Sequence, residues 1–138
     1  MNLSIIVVSR KRHEHLKDCL HSIRENFGDV ELYLGYDQDD PETREIGKDY
    51  QANLIEGLSS PNRHSQYINP IALKCKTDFV LSLNDDTIIQ HLGDCSEILK
   101  KHGLIYGICE EVWPCGNAKE DWEKYLGHRY ACYPLVGS

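Results

Sequence analysis

Phe79-Val80-Leu81-Ser82-Leu83-Asn84-Asp85-Asp86-Thr87 runs from a strand-forming apolar segment straight into an amide and two adjacent carboxylates. The apolar part reads as a strand buried in a sheet. In open α/β sheets ligands bind beyond the carboxyl ends of the strands, so an oxygen-rich tripeptide there is a candidate for holding a divalent cation and a phosphate. The plain structural alternative is a solvated turn, because Asn and Asp are ordinary turn residues. The rest of the chain decides between these readings.

Two other segments have the same form. Leu3–Ser9 is a near-continuous apolar run without polar alternation, which predicts burial on both faces as in a parallel sheet, and it opens into Arg10-Lys11-Arg12-His13. Val30–Tyr36 is a second strand and ends in Asp37-Gln38-Asp39-Asp40. Between them, Leu16, Cys19, Leu20, Ile23 and Phe27 form a helical stripe, which predicts a helix from His13 to Phe27 with Gly28 as its stop. Asp40-Pro41 reads as an N-cap and first-turn pair for a helix reaching Tyr50, with Ile46 and Tyr50 turned inward. Asn53–Leu58 reads as a short third strand. A helix is expected over 65–76, with Pro70 marking a kink or a late start. The strand Asp78–Leu83 follows, then a helix over Asp94–His102, a strand over Leu104–Cys109 and a short helix over Glu120–Leu126.

Strands and helices therefore alternate, which predicts an α/β sandwich with a mostly parallel sheet flanked by helices. The polar strand ends then meet along one edge. There, carboxylates can hold a cation while Arg or Lys neutralises phosphate. Asp39 and Asp40 read as turn and cap residues. On its own residues, Arg10-Lys11-Arg12 reads as a charged surface loop.

A length of 138 residues fits one domain over 1–138, and a net charge of -7 argues against a general nucleic-acid binder. No apolar run approaches the ~20 residues that span a bilayer. No basic segment precedes the N-terminal apolar stretch, so a cytoplasmic location is expected. None of the six cysteines forms a C-x-x-C pair. Cys19, Cys75 and Cys109 sit in apolar patterns and read as small core residues. A zinc set of Cys109, Cys115, His128 and Cys132 matches no usual spacing. His13, His15 and His21 read as exposed helix positions, His64 beside Arg63 as a phosphate neighbour or plain surface, and Trp113 and Trp122 as packing residues.

The chain resembles the N-terminal, nucleotide-binding part of glycosyltransferase family 2 enzymes of the GT-A fold, over roughly residues 3 to 110. The resemblance rests on Leu3–Arg12 with the following helix, on Asp37, on Arg63 and on Phe79–Thr87. It implies a nucleotide-sugar donor, a UDP-sugar above all, bound with Mn²⁺ or Mg²⁺. It places Ser9 and Arg10 at the nucleotide-contacting turn, Asp37 against uracil or ribose, and Arg63 on the nucleotide. Asn84-Asp85-Asp86 stands where the family has D-x-D, with Asp86 as metal ligand and Asp85 in support. The first acid of that motif is here an amide, which still offers a neutral oxygen. Sugar transfer to a glycan, lipid or protein acceptor also implies a carboxylate base. Asp121, Glu110 and Glu111 are the candidates for it, with solvated surface charge as the plain alternative. The stretch after Cys109 is short for an acceptor region, which is expected to be reduced or missing. The alternative function is thus a catalytically incomplete nucleotide-binding or partner-binding module, working with a partner subunit or as a homo-oligomer. A nucleotidyltransferase is disfavoured, since Ser9-Arg10-Lys11-Arg12 contains no Gly to wrap phosphates.

Overall fold

The computed structural model describes residues 2–57 and 64–89, with the backbone alone at 64 and 65, together with 97, 100 and 101. Strands β1 (Leu3–Ser9), β2 (Glu31–Tyr36), β3 (Asn53–Glu56) and β4 (Phe79–Asn84) alternate with helices α1 (His13–Phe27), α2 (Pro41–Asp49) and α3 (His64–Ala72). All fall in the first of the two units, Met1–Gly93 and Asp94–Ser138, into which the chain divides. Of the helix expected over 94–102, residues 97, 100 and 101 are helical. The strand expected over 104–109, the helix over 120–126, the tryptophans and the zinc set lie outside the described residues.

The four strands are ordered β3-β2-β1-β4 and every pairing is parallel. β1 is central, pairing Ser9 with Tyr36 of β2 and Val8 with Asn84 of β4. The chain therefore steps outward from β1 to β2 and β3, then returns past β1 to lay down β4 on the other side. That reversal opens a crevice at the carboxyl ends of β1 and β4, the place where sheets of this kind bind ligands.

The unalternated apolar run of β1 has the two-faced burial its sequence predicts. Leu3, Ile5 and Val7 face Leu16, Cys19, Leu20 and Ile23 of α1 and Ile46 of α2, while Ile6 faces Tyr67 and Ile71 of α3. Ile5, Ile6, Leu16, Leu20 and Ile23 are all 0% exposed. Burial of each such side chain stabilises the fold by roughly 1.5–3 kcal/mol relative to leaving it exposed. α1 ends where its sequence says: Gly28 takes φ of 56°, a left-handed conformation that costs Gly little, and its N–H donates to the Arg24 carbonyl at 3.0 Å. The Arg24 guanidinium then ties this corner together, donating to the carbonyls of Tyr50 (2.8 Å), Gly28 (2.9 Å), Val30 (3.0 Å) and Gln51 (3.0 Å).

Three expectations need correction. β4 is not buried on both faces: Phe79, Leu81 and Leu83 are half-buried on the α1 side, while Val80, Ser82 and Asn84 are exposed. Its pairing with β1 puts those two sets on opposite faces, and Ser82 between two leucines already carries that alternation. α3 is shorter than expected and contains Pro70 two residues before its end, where the missing N–H matters to the last turn alone. His13 is not a free surface residue; its ring lies 2.9 Å from Asp40 and 3.1 Å from Glu42. His15 and His21 are exposed as expected.

Candidate functional site

The site is built on three strand ends. After β1 the chain turns sharply, with Lys11 at φ of 52°, before Arg12 at the N-cap position leads into α1. A non-Gly residue in this left-handed region needs outside support. Asp40 supplies it, accepting the Lys11 amide at 2.6 Å. The same carboxylate is the N-cap of α2, accepting the Thr43 amide at 3.3 Å and the Thr43 hydroxyl at 2.6 Å. Burial pushes the Asp40 carboxyl up, but the donors from Thr43, Lys11 and His13 outweigh it and hold the group below its ordinary value. Asp40 therefore fills the cap role read from Asp40-Pro41, and it also locks the β1–α1 turn to the end of β2.

The turn after β4 is anchored in a similar way. The Thr87 amide donates to the Asn84 carbonyl at 3.1 Å, closing the acidic tripeptide into a turn. Beyond it, the Ile89 amide donates to Ser22 Oγ at 3.0 Å and its carbonyl accepts Asn26 Nδ2 at 2.9 Å, so α1 clamps the segment. Beneath the turn lies Cys19, whose thiol is pushed up to about 12 by burial first and then by the charges of Asp85 and Asp86. It is a core thiol, as expected.

Val8, Ser9, Arg10, Arg12, Asp37, Tyr67, Asn84 and Asp85 line one cleft of about 350 Å³ at these strand ends. Its charges are paired across strands. Arg10 bonds to Asp37 and, in a two-pronged contact of 2.6 and 2.9 Å, to Asp39. Those carboxylates, Asp39 foremost, raise the Arg10 pKa above its ordinary value. Arg12 reaches Asp85 at 3.0 Å and Asp86 at 2.9 Å. Asp85 is 5% exposed and also accepts the Ser9 hydroxyl at 2.8 Å. Asp37, 2% exposed, accepts the Tyr67 hydroxyl.

The structure thus brings Ser9, Arg10, Asp37, Asn84 and Asp85 together, as the sequence led one to expect. Asp86 is adjacent but half-exposed, and it is Asp85 that faces the cleft. Asp39 does more than turn the chain, because it shares Arg10 with Asp37. Arg63, Glu110, Glu111 and Asp121 lie outside the described residues. Tyr67 was missed: its apolar neighbours Ile68 and Ile71 make it look like one more core position. The available signal was Gly35, an isolated glycine inside a strand, which marks a close approach by another group. A Cβ at Gly35 would lie 2.6 Å from Tyr67 Cδ1.

Among the described residues, no three His, Cys, Asp or Glu side chains gather as a self-sufficient metal site. Asp85 and Asp86 nevertheless direct their oxygens at one cation, the Arg12 guanidinium. That donor set fits a Mg²⁺-like ion of the kind held by one or two carboxylates, with phosphates and water completing its shell.

A parallel sheet in this order, with helices on both faces, is an α/β arrangement that the GT-A fold contains. The model of the family "Glycosyl transferase family 2" matches residues 4–123, and the chain belongs to that family. Among solved structures, TarS of S. aureus over 1–349 is similar at a TM-score of 0.57 and 15% identity, covering 83% of this chain and 39% of that one. The S. aureus TarS structure covering a longer chain gives a TM-score of 0.55 at 15% identity, covering 83% of this chain and 23% of that one. At that identity the likeness speaks for the fold, and this chain spans less than half of either TarS chain. No curated protein matches it. Among the described residues, no helix is long and apolar enough to cross a membrane.

Proposed function

We propose that this chain binds the nucleotide-sugar donor, a UDP-sugar, of a metal-dependent glycosyltransferase. The observation that carries the reading is the cleft itself: Arg10, Arg12, Asp37 and Asp85 come from three different strand ends and line a single crevice at the sheet's point of reversal. A nucleoside diphosphate needs both signs of charge at such a place. Asp37 accepts a donor N–H or O–H of base or ribose. Arg10 and Arg12, now held by carboxylates, turn to the phosphate oxygens, which a guanidinium binds in the same two-pronged way. The N-terminus of the fifteen-residue α1, which starts beside Arg12, adds a favourable field for an anion. Asp86 and Asp85 would hold Mn²⁺ or Mg²⁺, with Asn84 offering a neutral oxygen nearby. When bound, such an ion neutralises charge developing on the leaving nucleotide.

Transfer requires a base for the acceptor hydroxyl, and Asp121, Glu110 and Glu111 remain the proposed candidates. The acceptor is a glycan, lipid or protein. Calorimetry of the chain with UDP and Mn²⁺ tests the nucleotide site: saturable binding is expected, and Asp85→Ala and Asp86→Ala should each weaken it. Absence of UDP binding by the wild-type chain, or binding untouched in both variants, would sink the reading. Binding without sugar release from UDP-sugars would instead favour a nucleotide-binding module that needs a further partner.

A further inference from the structure

We infer that Tyr67, seated against Gly35, is a positioning residue that presents the Asp37 carboxylate to the nucleoside end of the ligand. The inference rests on the nucleotide reading above and assigns a role to a residue outside the strand-end motifs. Asp37 is 2% exposed yet lines the cleft, so its carboxylate is almost sealed from water and can meet a ligand only from the cleft side. A buried carboxylate of this kind needs donors on its oxygens. Two donors among the described residues are the Tyr67 hydroxyl, which donates to Oδ1, and Arg10, which donates to Oδ2.

The two donors differ in kind. Arg10 is one-third exposed, divides its guanidinium between Asp37 and Asp39, and is a phosphate-seeking group. A diphosphate that recruits Arg10 would loosen its hold on Asp37. Tyr67 is 2% exposed, buried beside Ile6, Tyr33 and Ile71, and its ring has no comparable freedom. Its seat is provided by the missing side chain of Gly35: a Cβ there would lie 2.6 Å from Cδ1, 2.9 Å from Cγ and 3.1 Å from Cβ of Tyr67. Contacts under 3 Å are not tolerated by ring carbons, so any side chain at 35 must displace the ring. Gly35 on β2 thus sets the position of a tyrosine on α3, which in turn fixes an aspartate beyond the end of β2. Once Arg10 turns to phosphate, the Tyr67 hydroxyl still holds Asp37 toward a base or ribose donor.

The test compares two probes on the full chain by calorimetry: UDP with Mn²⁺, and inorganic pyrophosphate with Mn²⁺. Tyr67→Phe removes one oxygen from the site and is expected to weaken UDP binding about tenfold, as loss of a hydrogen bond to a charged group does, while leaving pyrophosphate binding unchanged. Gly35→Ala should act in the same direction. Asp37→Asn should also weaken UDP selectively, and Tyr67→Phe should add nothing further in that background, since the tyrosine acts through Asp37. A purely structural role predicts instead that both probes weaken together, or that the two substitutions add; either outcome overturns the inference, as does unchanged UDP binding in Tyr67→Phe. Wild-type binding of pyrophosphate but not UDP would overturn the nucleotide reading itself, a result distinct from these. Should Gly35→Ala fail to fold, Tyr67→Phe and the double variant suffice.

Discussion

Asp40 offers the sharpest test of how this site is held together. Its carboxylate takes the Lys11 amide and the Thr43 hydroxyl at 2.6 Å each, the Thr43 amide at 3.3 Å and His13 at 2.9 Å, all at 2% exposure. Asp40→Ala deletes an N-cap, which costs about 1 kcal/mol. It also strips the acceptor from the Thr43 hydroxyl, which is 0% exposed, and from the Lys11 amide at a positive φ. Each buried donor left unpaired costs about 1–3 kcal/mol, part of which relaxation recovers. The sum is a loss of ~3–4 kcal/mol, which at roughly 3–5 °C per kcal/mol lowers Tm by about 10–15 °C. Asp40→Asn keeps a capping oxygen and should lose only about 1–2 kcal/mol. Acid provides a second reading. The folded-state pKa of Asp40 lies below its unfolded value near ~3.9, so its stabilisation is fully present above that value and disappears as pH falls through the folded pKa. The gap between wild type and Asp40→Asn should therefore be widest at neutral pH and shrink below pH ~4. Thermal unfolding followed by circular dichroism from pH 3 to 7 measures both. A Tm for Asp40→Ala within about 2 °C of wild type, or equal losses in Ala and Asn variants, would refute the reasoning.

Three further outcomes are expected. Arg12→Gln frees Asp85 and Asp86 from their guanidinium and should tighten Mn²⁺ binding without nucleotide about fivefold, the ~1 kcal/mol a nearby exposed charge exerts; no change in a paramagnetic resonance titration would show that Arg12 does not compete with the ion. Arg24→Ala removes four carbonyl contacts at the end of α1 and should cost ~2 kcal/mol, visible as a lower urea midpoint. Cys19, buried and with its thiol pushed up to about 12, should resist thiol reagents at pH 8 until the chain unfolds, whereas half-buried Cys75 should react first; prompt labelling of Cys19 in the native chain would contradict its placement.

Much of the fold was legible because its strongest signals are local. The apolar run of β1, the stripe of α1, Gly28 and Asp40-Pro41 each reflect the geometry of a few neighbouring residues. The converging strand ends were legible too, since parallel topology puts them on one edge. What escaped was long-range. Tyr67 looks like a core aromatic until β2 brings Asp37 against it, thirty positions away in sequence. Asp85 and Asp86 are chemically identical neighbours. Only the pairing of β4 with β1 decides which of them turns toward Ser9 and which toward solvent. The exposed face of β4 is different: Ser82 between Leu81 and Leu83 carries the alternation locally, and exposed Val80 is the position that masks it.

The cross-strand ion pairs have a consequence for how a ligand arrives. Among the described residues, Arg10, Lys11 and Arg12 stand against Asp37, Asp39, Asp85 and Asp86, so these charges of the cleft nearly neutralise one another. The cleft behaves as an ion exchanger loaded with its own counter-ions. A nucleoside diphosphate entering with a divalent cation replaces internal pairs by equivalent external ones, leaving the local charge almost unchanged. Association should then depend only weakly on ionic strength, unlike capture by an open basic pocket, where screening over a Debye length of ~8–10 Å governs the rate. Either ligand alone leaves one side of the exchange uncompensated, so nucleotide and metal should each bind better in the other's presence, without any movement of the sheet.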